Sequence, residues 1–184
     1  MTDQIKSVTV AEFEQFLRQP ENADRLFELI DGEIFEKMPT EKHGEIVLTI
    51  GFFGKLYLRE NPIGRFTTEA RHSIEDDDSN DVLPDVSFIL DASRPSVEEG
   101  VIPRMPDFAV EVKSPSDKLP KLRTKVAYYL RNGTRLVWLV IPEKCLVEVY
   151  RPDEPVLVCG EDDFLDGADV LPGFKVAVKD LFAD

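Results

Sequence analysis

The sequence predicts an α+β protein in which helices flank a mixed β-sheet, with additional β-hairpins towards the C-terminus. Short apolar runs recur along the chain, as they do in the strands of a buried sheet. Two longer stretches, 42–60 and 119–132, carry apolar residues every three or four positions, which is typical of amphipathic helices. With 184 residues, 42% of them hydrophobic, the chain is expected to form one domain spanning residues 1–184.

The first elements are indicated by capping and turn residues. Thr9-Val10-Ala11-Glu12 has the form of a capping box, so a short helix is expected to begin there and to end before Pro20. Asp31-Gly32 separates the apolar segments 26–30 and 33–37. Both residues tolerate the positive φ of a tight turn, which predicts a hairpin. The helix over 42–60 should end at Asn61-Pro62.

The remaining elements alternate between strands and one further helix. The helix over 119–132 has Pro120 in its first turn and Gly133 at its C-terminal cap. The segment 91–105 is polar and contains proline, so a loop is expected. The expected strands are 65–74, 82–90, the segment around Glu111, 135–141, 146–150, 156–159 and 174–178.

Charge is distributed unevenly along the chain. The net charge is -14, but the segment from Lys113 to Arg135 holds seven basic residues and one acidic residue. This basic belt therefore carries +6, against -20 for everything else. The belt is either a surface for nucleic-acid phosphates or a solvated helix face.

Composition argues against a membrane or secreted protein. No apolar run is long enough to span a bilayer, and Met1-Thr2-Asp3-Gln4 lacks the features of a signal peptide. We therefore expect a cytoplasmic location and no membrane partner. Cys145 and Cys159 are too few and too widely spaced for a metal knuckle or a disulfide framework, so both are interpreted as small core or strand residues.

The strand around Glu111 carries charges within an apolar run. Side chains alternate along a strand, so Phe108, Val110 and Val112 should point to one face, with Glu111 and Lys113 on the other. A buried isolated charge costs several kcal/mol or more. Glu111 and Lys113 therefore either pair with each other for structural reasons or bind something.

A second carboxylate can be brought beside Glu111 by Asp85. Pro-Asp occurs at Asp85, Asp107 and Asp153. Asp107 lies on the Glu111 strand, roughly 13 Å away, which is too far to share a metal ion, and Asp153 lies in a turn-like stretch. Asp85 lies on a separate strand that can neighbour the Glu111 strand.

Asp85, Glu111, water and the backbone oxygen of Val112 would then supply the hard oxygen ligands that Mg²⁺ or Mn²⁺ prefers. Lys113 would meet the attacking water or the charge that develops on phosphate.

Pro84-Asp85 followed by Glu111-Val112-Lys113 resembles the signature of the PD-(D/E)XK nuclease superfamily. Further segments resemble one branch of it, the Uma-two family of restriction-endonuclease-like proteins, which is abundant in cyanobacteria. These segments cover nearly the whole chain in the expected order: Phe27–Glu33, His43, Pro84–Phe88, Phe108–Ser116, Lys125–Tyr129, Trp138–Pro142 and Leu171–Phe174.

The resemblance implies a restriction-endonuclease-like sheet core, metal-dependent phosphodiester chemistry and a homodimer. It assigns Asp85 and Glu111 as metal ligands, with the Val112 carbonyl, and Lys113 as catalytic base or charge stabiliser. Many relatives have an apolar residue at the position of Lys113, so its presence here favours an intact site.

Four further residues receive weaker roles from the same resemblance. Glu28 is either a third acid of the site or a member of a cross-strand salt bridge. His43 either lines the site or is a capping or solvent-facing residue. Lys121 and Lys125 would bind nucleic-acid phosphates from the basic belt, although Lys125 could instead pair with an acid.

The first hypothesis is thus an Mg²⁺- or Mn²⁺-dependent endonuclease, with DNA as the expected nucleic acid. In this hypothesis Glu111→Gln abolishes cleavage and leaves the fold intact. An alternative is a catalytically silent homodimer with a nuclease fold that serves as a binding or scaffolding protein. The net charge of -20 outside the belt favours this alternative, because it would repel DNA. A third is a structural Glu111–Lys113 pair in a domain with an unrelated role.

Overall fold

The structure of the protein, a computed structural model, describes residues 7–183. The segment Met1–Gln4, on which the prediction about a signal peptide depends, lies outside the described residues. The chain forms two compact units. The first takes the chain up to Met38 together with Arg71–Leu83 and Val97–Arg104, and the second comprises Pro39–Ala70, Pro84–Ser96 and the chain from Met105 onward.

The first unit holds a helix and a hairpin, as predicted. Helix α1 (Val10–Leu17) begins with a capping box in which Thr9 Oγ1 accepts from Glu12 N at 3.2 Å and Glu12 Oε2 accepts from Thr9 N at 3.0 Å. Strands β1 (Leu26–Ile30) and β2 (Glu33–Lys37) pair antiparallel. The turn residues Asp31 and Gly32 have φ of 50° and 76°, which confirms the predicted turn chemistry.

The second unit is built on a six-stranded mixed sheet. Its spatial order follows the chain, from β3 to β8, and β5 and β6 form its one parallel pair within the described residues. The strands are β3 (Arg65–Thr68), β4 (Val86–Ile89), β5 (Phe108–Val112), β6 (Leu136–Ile141), β7 (Leu146–Tyr150) and β8 (Leu157–Cys159).

Two helices and a short strand pair complete this unit. Helix α2 (Glu41–Glu60) precedes β3, and helix α3 (Leu119–Arg131) connects the parallel strands β5 and β6. Strands β9 (Phe164–Gly167) and β10 (Leu171–Ala177) pair antiparallel, as an additional C-terminal hairpin. Short 3-10 turns lie at Pro20–Asn22 in the first unit and at Pro142–Lys144 and Val178–Leu181 in the second.

The core of the second unit contains the predicted apolar face of β5. Phe108, Val110 and Val112 pack in one buried cluster with Trp138 of β6 and with Ile50 of α2. Since side chains alternate along the strand, Glu111 projects to the opposite face. This alternation confirms the face assignment made for the strand.

Several predicted boundaries are wrong for identifiable reasons. The expected strand 65–74 ends at Thr68, because Glu69 adopts a positive φ of 51° that a strand cannot continue. The expected strand 82–90 is shortened to β4, which begins after Pro84, because proline has no N–H to donate to a neighbouring strand.

Two further predictions from the C-terminal half need correction. Cys145, interpreted as a core or strand residue, lies in a turn with a φ of 49°, whereas Cys159 is buried in β8 as expected. Strand β9 was not predicted, because its segment is flanked and interrupted by acidic residues.

Candidate active site

Asp85 and Glu111 are placed by neighbouring strands of the sheet, an arrangement that the sequence allowed. Strands β4 and β5 pair antiparallel with Val86 opposite Val110. Asp85 precedes Val86 and Glu111 follows Val110, so both acidic residues lie at the same end of this strand pair. Asp85 N donates to Val110 O at 3.1 Å, so the backbone of Asp85 is hydrogen-bonded to β5 just before β4 begins.

The Asp85 carboxylate is buried and has two polar partners. Its residue is only 2% exposed. Its Oδ2 accepts from the backbone N–H of Val112 at 2.6 Å and lies 3.2 Å from His43 Nε2. The first contact fixes the backbone at Val112 against this carboxylate, which is where the predicted backbone ligand lies.

His43 reaches Asp85 from the first turn of α2. Thr40 caps this helix, and its Oγ1 accepts from His43 N at 3.3 Å. The imidazole is buried. The His43 side chain is thus directed towards Asp85 rather than into solvent.

The Glu111 carboxylate is held by helix α3. Its Oε1 lies 2.8 Å from Lys125 Nζ and accepts from the Tyr129 hydroxyl at 2.7 Å. Lys125 and Tyr129 are four residues apart and so lie on the same face of the helix. All three residues are buried. A buried carboxylate needs such partners, because desolvating an unpaired charge costs several kcal/mol.

Sequence reasoning did not identify Tyr129 and gave the pairing of Lys125 only as an alternative. The available signal was a Lys and a Tyr at i and i+4, a spacing that puts both on one helix face. Lysine is rarely buried unless it is paired, so there was little reason in the sequence to place Lys125 inside. Lys125 is 2% exposed, which separates it from the exposed belt and favours pairing with an acid.

Lys113 follows β5 and binds a different acid. Its Nζ lies 2.9 Å from Glu143 Oε1 and donates to Ser114 O at 3.3 Å. Of the alternatives for Glu111 and Lys113, a structural pair between the two is therefore wrong, because Glu111 pairs with Lys125. Burial raises the pKa of Glu143, but the hydrogen bond from Lys113, a backbone hydrogen bond and the charges of Lys113 and Lys144 together outweigh it, so the pKa lies below its ordinary value.

Glu28 lies in the first unit. Its side chain is buried, and its Oε2 accepts from Leu83 N at 3.2 Å. This contact ties β1 to the segment Arg71–Leu83 of the same unit.

Four residues of the basic belt are exposed. They are Lys118, Lys121, Arg123 and Arg131. Arg123, which lies in α3, also donates a hydrogen bond to Glu148. This hydrogen bond is the leading cause that lowers the pKa of Glu148. Lys121 is thus accessible to a bound polyanion, unlike Lys125.

The residues fit a divalent ion held by two carboxylates. Within residues 7–183, no three His, Cys, Asp or Glu side chains form a group that could hold a metal ion. Mg²⁺ is commonly bound by one or two carboxylates, with water and substrate phosphate completing its coordination. Asp85 and Glu111 are the carboxylates that would hold such an ion.

None of the helices in the described part of the chain combines the length and the apolarity needed to cross a bilayer.

A search of curated proteins found no match.

Two comparisons identify relatives. The sequence matches, over residues 13–179, a family model described as "Uma2: Putative restriction endonuclease". The structure is similar to the crystal structure of a "putative nuclease belonging to DUF820" from Anabaena variabilis, with a TM-score of 0.77 and 27% identity. That similarity covers 92% of this chain and 96% of the other.

These matches confirm the predicted restriction-endonuclease-like fold, and both are to proteins described as nucleases. Because the family model spans most of its length, the chain belongs to the Uma2 family.

Proposed function

We propose that the protein is an Mg²⁺- or Mn²⁺-dependent endonuclease that hydrolyses phosphodiester bonds, with DNA as its substrate. The observation that carries the proposal is the pair of buried carboxylates, Asp85 and Glu111, at the same end of the neighbouring strands β4 and β5. The descriptions of the family and of the structural relative as nucleases support it.

In this proposal Asp85 and Glu111 hold the cation, together with the Val112 carbonyl. When bound, a divalent ion offsets phosphate charge and lowers the pKa of coordinated water. The protein contributes fixed ligand positions. The Val112 N–H and His43 orient Asp85, while Lys125 and Tyr129 orient Glu111.

Lys113 would act on the substrate as catalytic base or charge stabiliser. Its ammonium lies at the end of β5, and its partner Glu143 is half exposed. An ion pair that reaches solvent is worth about 1 kcal/mol or less. A phosphate group can therefore compete with Glu143 for this ammonium.

Lys121 is proposed as a contact to the nucleic-acid backbone. Lys121 belongs to the exposed part of the belt, where a polyanion is attracted despite the net charge of -14.

The test is cleavage of plasmid, linear duplex DNA, single-stranded DNA and RNA with Mg²⁺, Mn²⁺ or a chelator. Wild type is compared with Asp85→Asn and Lys113→Met. Asp153→Asn is the matched control, since Asp153 also follows a proline but lies in a turn with positive φ. Lys179→Met, an exposed lysine near the C-terminus, controls for Lys113.

We expect metal-dependent products from wild type and both controls, and loss of cleavage by about 100-fold or more in the two site variants. Products that persist in Asp85→Asn would contradict the assignment. Thermal stabilisation of wild type by Mn²⁺, absent in Asp85→Asn, reports metal binding separately from turnover.

A second candidate function is that of a homodimeric binding or scaffolding protein, which has the nuclease fold but does not cleave nucleic acid. The observation that favours it is that Glu111 already has a buried cationic partner, Lys125, at 2.8 Å. Salt-sensitive DNA binding without cleavage under any metal would support this function over the first.

A further inference from the structure

Helix α2 exposes a stripe of residues that its own unit does not cover. Leu48 is 72% and Phe52 60% exposed, in a helix whose opposite face is buried in the core. The stripe consists of residues at alternating spacings of four and three, which is the spacing of a helix-pairing seam. Its members are Glu41, Glu45, Leu48, Phe52, Lys55 and Arg59.

The charges along this stripe are arranged symmetrically about residue 50. Acidic residues occupy its N-terminal end, apolar residues its middle and basic residues its C-terminal end. In an antiparallel pair of two α2 helices, Glu41 would face the partner's Arg59 and Glu45 the partner's Lys55. Leu48 would face the partner's Phe52. A two-fold interface requires this kind of self-complementarity.

We propose that this stripe is the interface through which two copies of the chain associate, with their α2 helices antiparallel. The stripe runs for about 27 Å along the helix, at 1.5 Å per residue. A parallel pairing would instead place like charges side by side at both ends. The charge pattern thus specifies both the partner and its orientation.

The glycines of α2 provide an independent observation. A Cβ atom added to Gly44 or Gly51 would meet nothing within 4 Å, and neither residue has a positive φ. Glycine destabilises a helix interior relative to alanine, and no contact within the chain requires glycine at these two positions. Both lie on one side of the stripe, where the absence of side chains lets a second helix approach closely.

A groove next to the stripe gives the partner an apolar surface. It lies between α2 and the edge strand β3 and has a volume of about 520 Å³. Gly51 and Phe52 line it from the helix, and Phe66 from the strand. An apolar side chain of the second copy can enter this groove when the two helices pair.

The test uses sedimentation equilibrium of the full chain carrying Glu45→Lys, Lys55→Glu, or an equal mixture of both variants. Wild type is expected to be a dimer. Each variant alone places like charges together twice, so its dimer dissociation constant should rise by about tenfold or more. The mixture restores both charge pairs and should recover the dimer as a heterodimer.

Glu60→Lys, an exposed change on the same helix outside the stripe, is the control and should dimerise like wild type. Glu45 also lies 3.4 Å from Lys42 of its own helix, so circular dichroism is used to check that each variant keeps its helix content. A wild type that stays monomeric to about 100 µM, or charge variants that dimerise as tightly as wild type, would overturn the proposal.

The experiment measures association alone, so its result does not depend on whether the protein cleaves nucleic acid.

Discussion

The buried pair of Glu111 and Lys125 determines how a change at Glu111 acts on stability. Removing one member of a buried ion pair commonly costs about 3–5 kcal/mol. Glu111→Gln should therefore lower the free energy of unfolding by that amount, contrary to the sequence-based hypothesis that the fold stays intact. Glu111→Gln/Lys125→Met, which removes both charges, should lose less. Urea unfolding at pH 7 measures the difference.

Asp153→Asn serves as the control for this comparison and should unfold like wild type, because Asn also tolerates a positive φ. The interpretation fails if the single and the double variant are equally destabilised. In that case the pairing with Lys125 would contribute nothing to the cost.

Glu148 provides a pH-dependent contribution to stability. Its pKa is lowered from an ordinary 4.5, first by the hydrogen bond from Arg123 and despite burial. The folded state is thus stabilised above the ordinary pKa, and this stabilisation is lost as pH falls through the lowered value. Glu148→Gln should lose stability at pH 7 and show a shallower decline between pH 5 and pH 3.

Denaturant midpoints across this pH range, with Glu154→Gln as an exposed control, measure the effect. Equal slopes of stability against pH in wild type and Glu148→Gln would contradict it.

The two carboxylates of the candidate site were predictable from the sequence, whereas their partners mostly were not. Asp85 and Glu111 stand out because each interrupts an apolar segment. The link from Glu111 to Tyr129 depends on how α3 packs against the sheet. A single sequence gives the spacing of Lys125 and Tyr129 but not the strand that their helix face meets.

At the level of elements, helix α2 allows a direct comparison of two glycines. In the monomer, measured below the dissociation constant of the proposed dimer, Gly44→Ala places a methyl group in open space and should stabilise the chain by up to about 1 kcal/mol, the helix preference of Ala over Gly. Gly54→Ala brings a Cβ to 2.8 Å from the Phe66 ring and should destabilise it. Thermal unfolding at a fixed protein concentration compares the two variants.

Gly54→Ala as stable as Gly44→Ala would show that α2 shifts away from β3 at little cost.

Long periodic elements were predicted well, and short irregular ones were not. Helices α1, α2 and α3 begin and end within a residue or two of their predicted bounds, because caps and prolines mark their ends. The end of β3 at Thr68 could not be predicted, since Glu69 adopts its positive φ where the chain leaves one compact unit for the other. The β-propensities of the residues after Thr68 do not decide whether the strand ends there or continues.

At the level of the whole molecule, the contrast between the basic belt and the remaining acidic surface predicts salt-dependent binding. Lys121→Gln should weaken duplex DNA binding by a similar factor for all sequences and lower the salt slope by about 0.9 for each lost phosphate contact. Fluorescence anisotropy over a range of salt concentrations measures this slope. Lys179→Gln, exposed but outside the belt, should leave it unchanged.

The order of strands in the six-stranded sheet has a consequence for biosynthesis. Because spatial order follows chain order from β3 to β8, the sheet can grow by one strand at a time as the chain leaves the ribosome. Asp85 and Glu111 emerge before Lys125, however. A nascent chain that ends before α3 must keep the Glu111 carboxylate hydrated, so β5 can become buried only after about 20 more residues have been synthesised, roughly 1–4 seconds later.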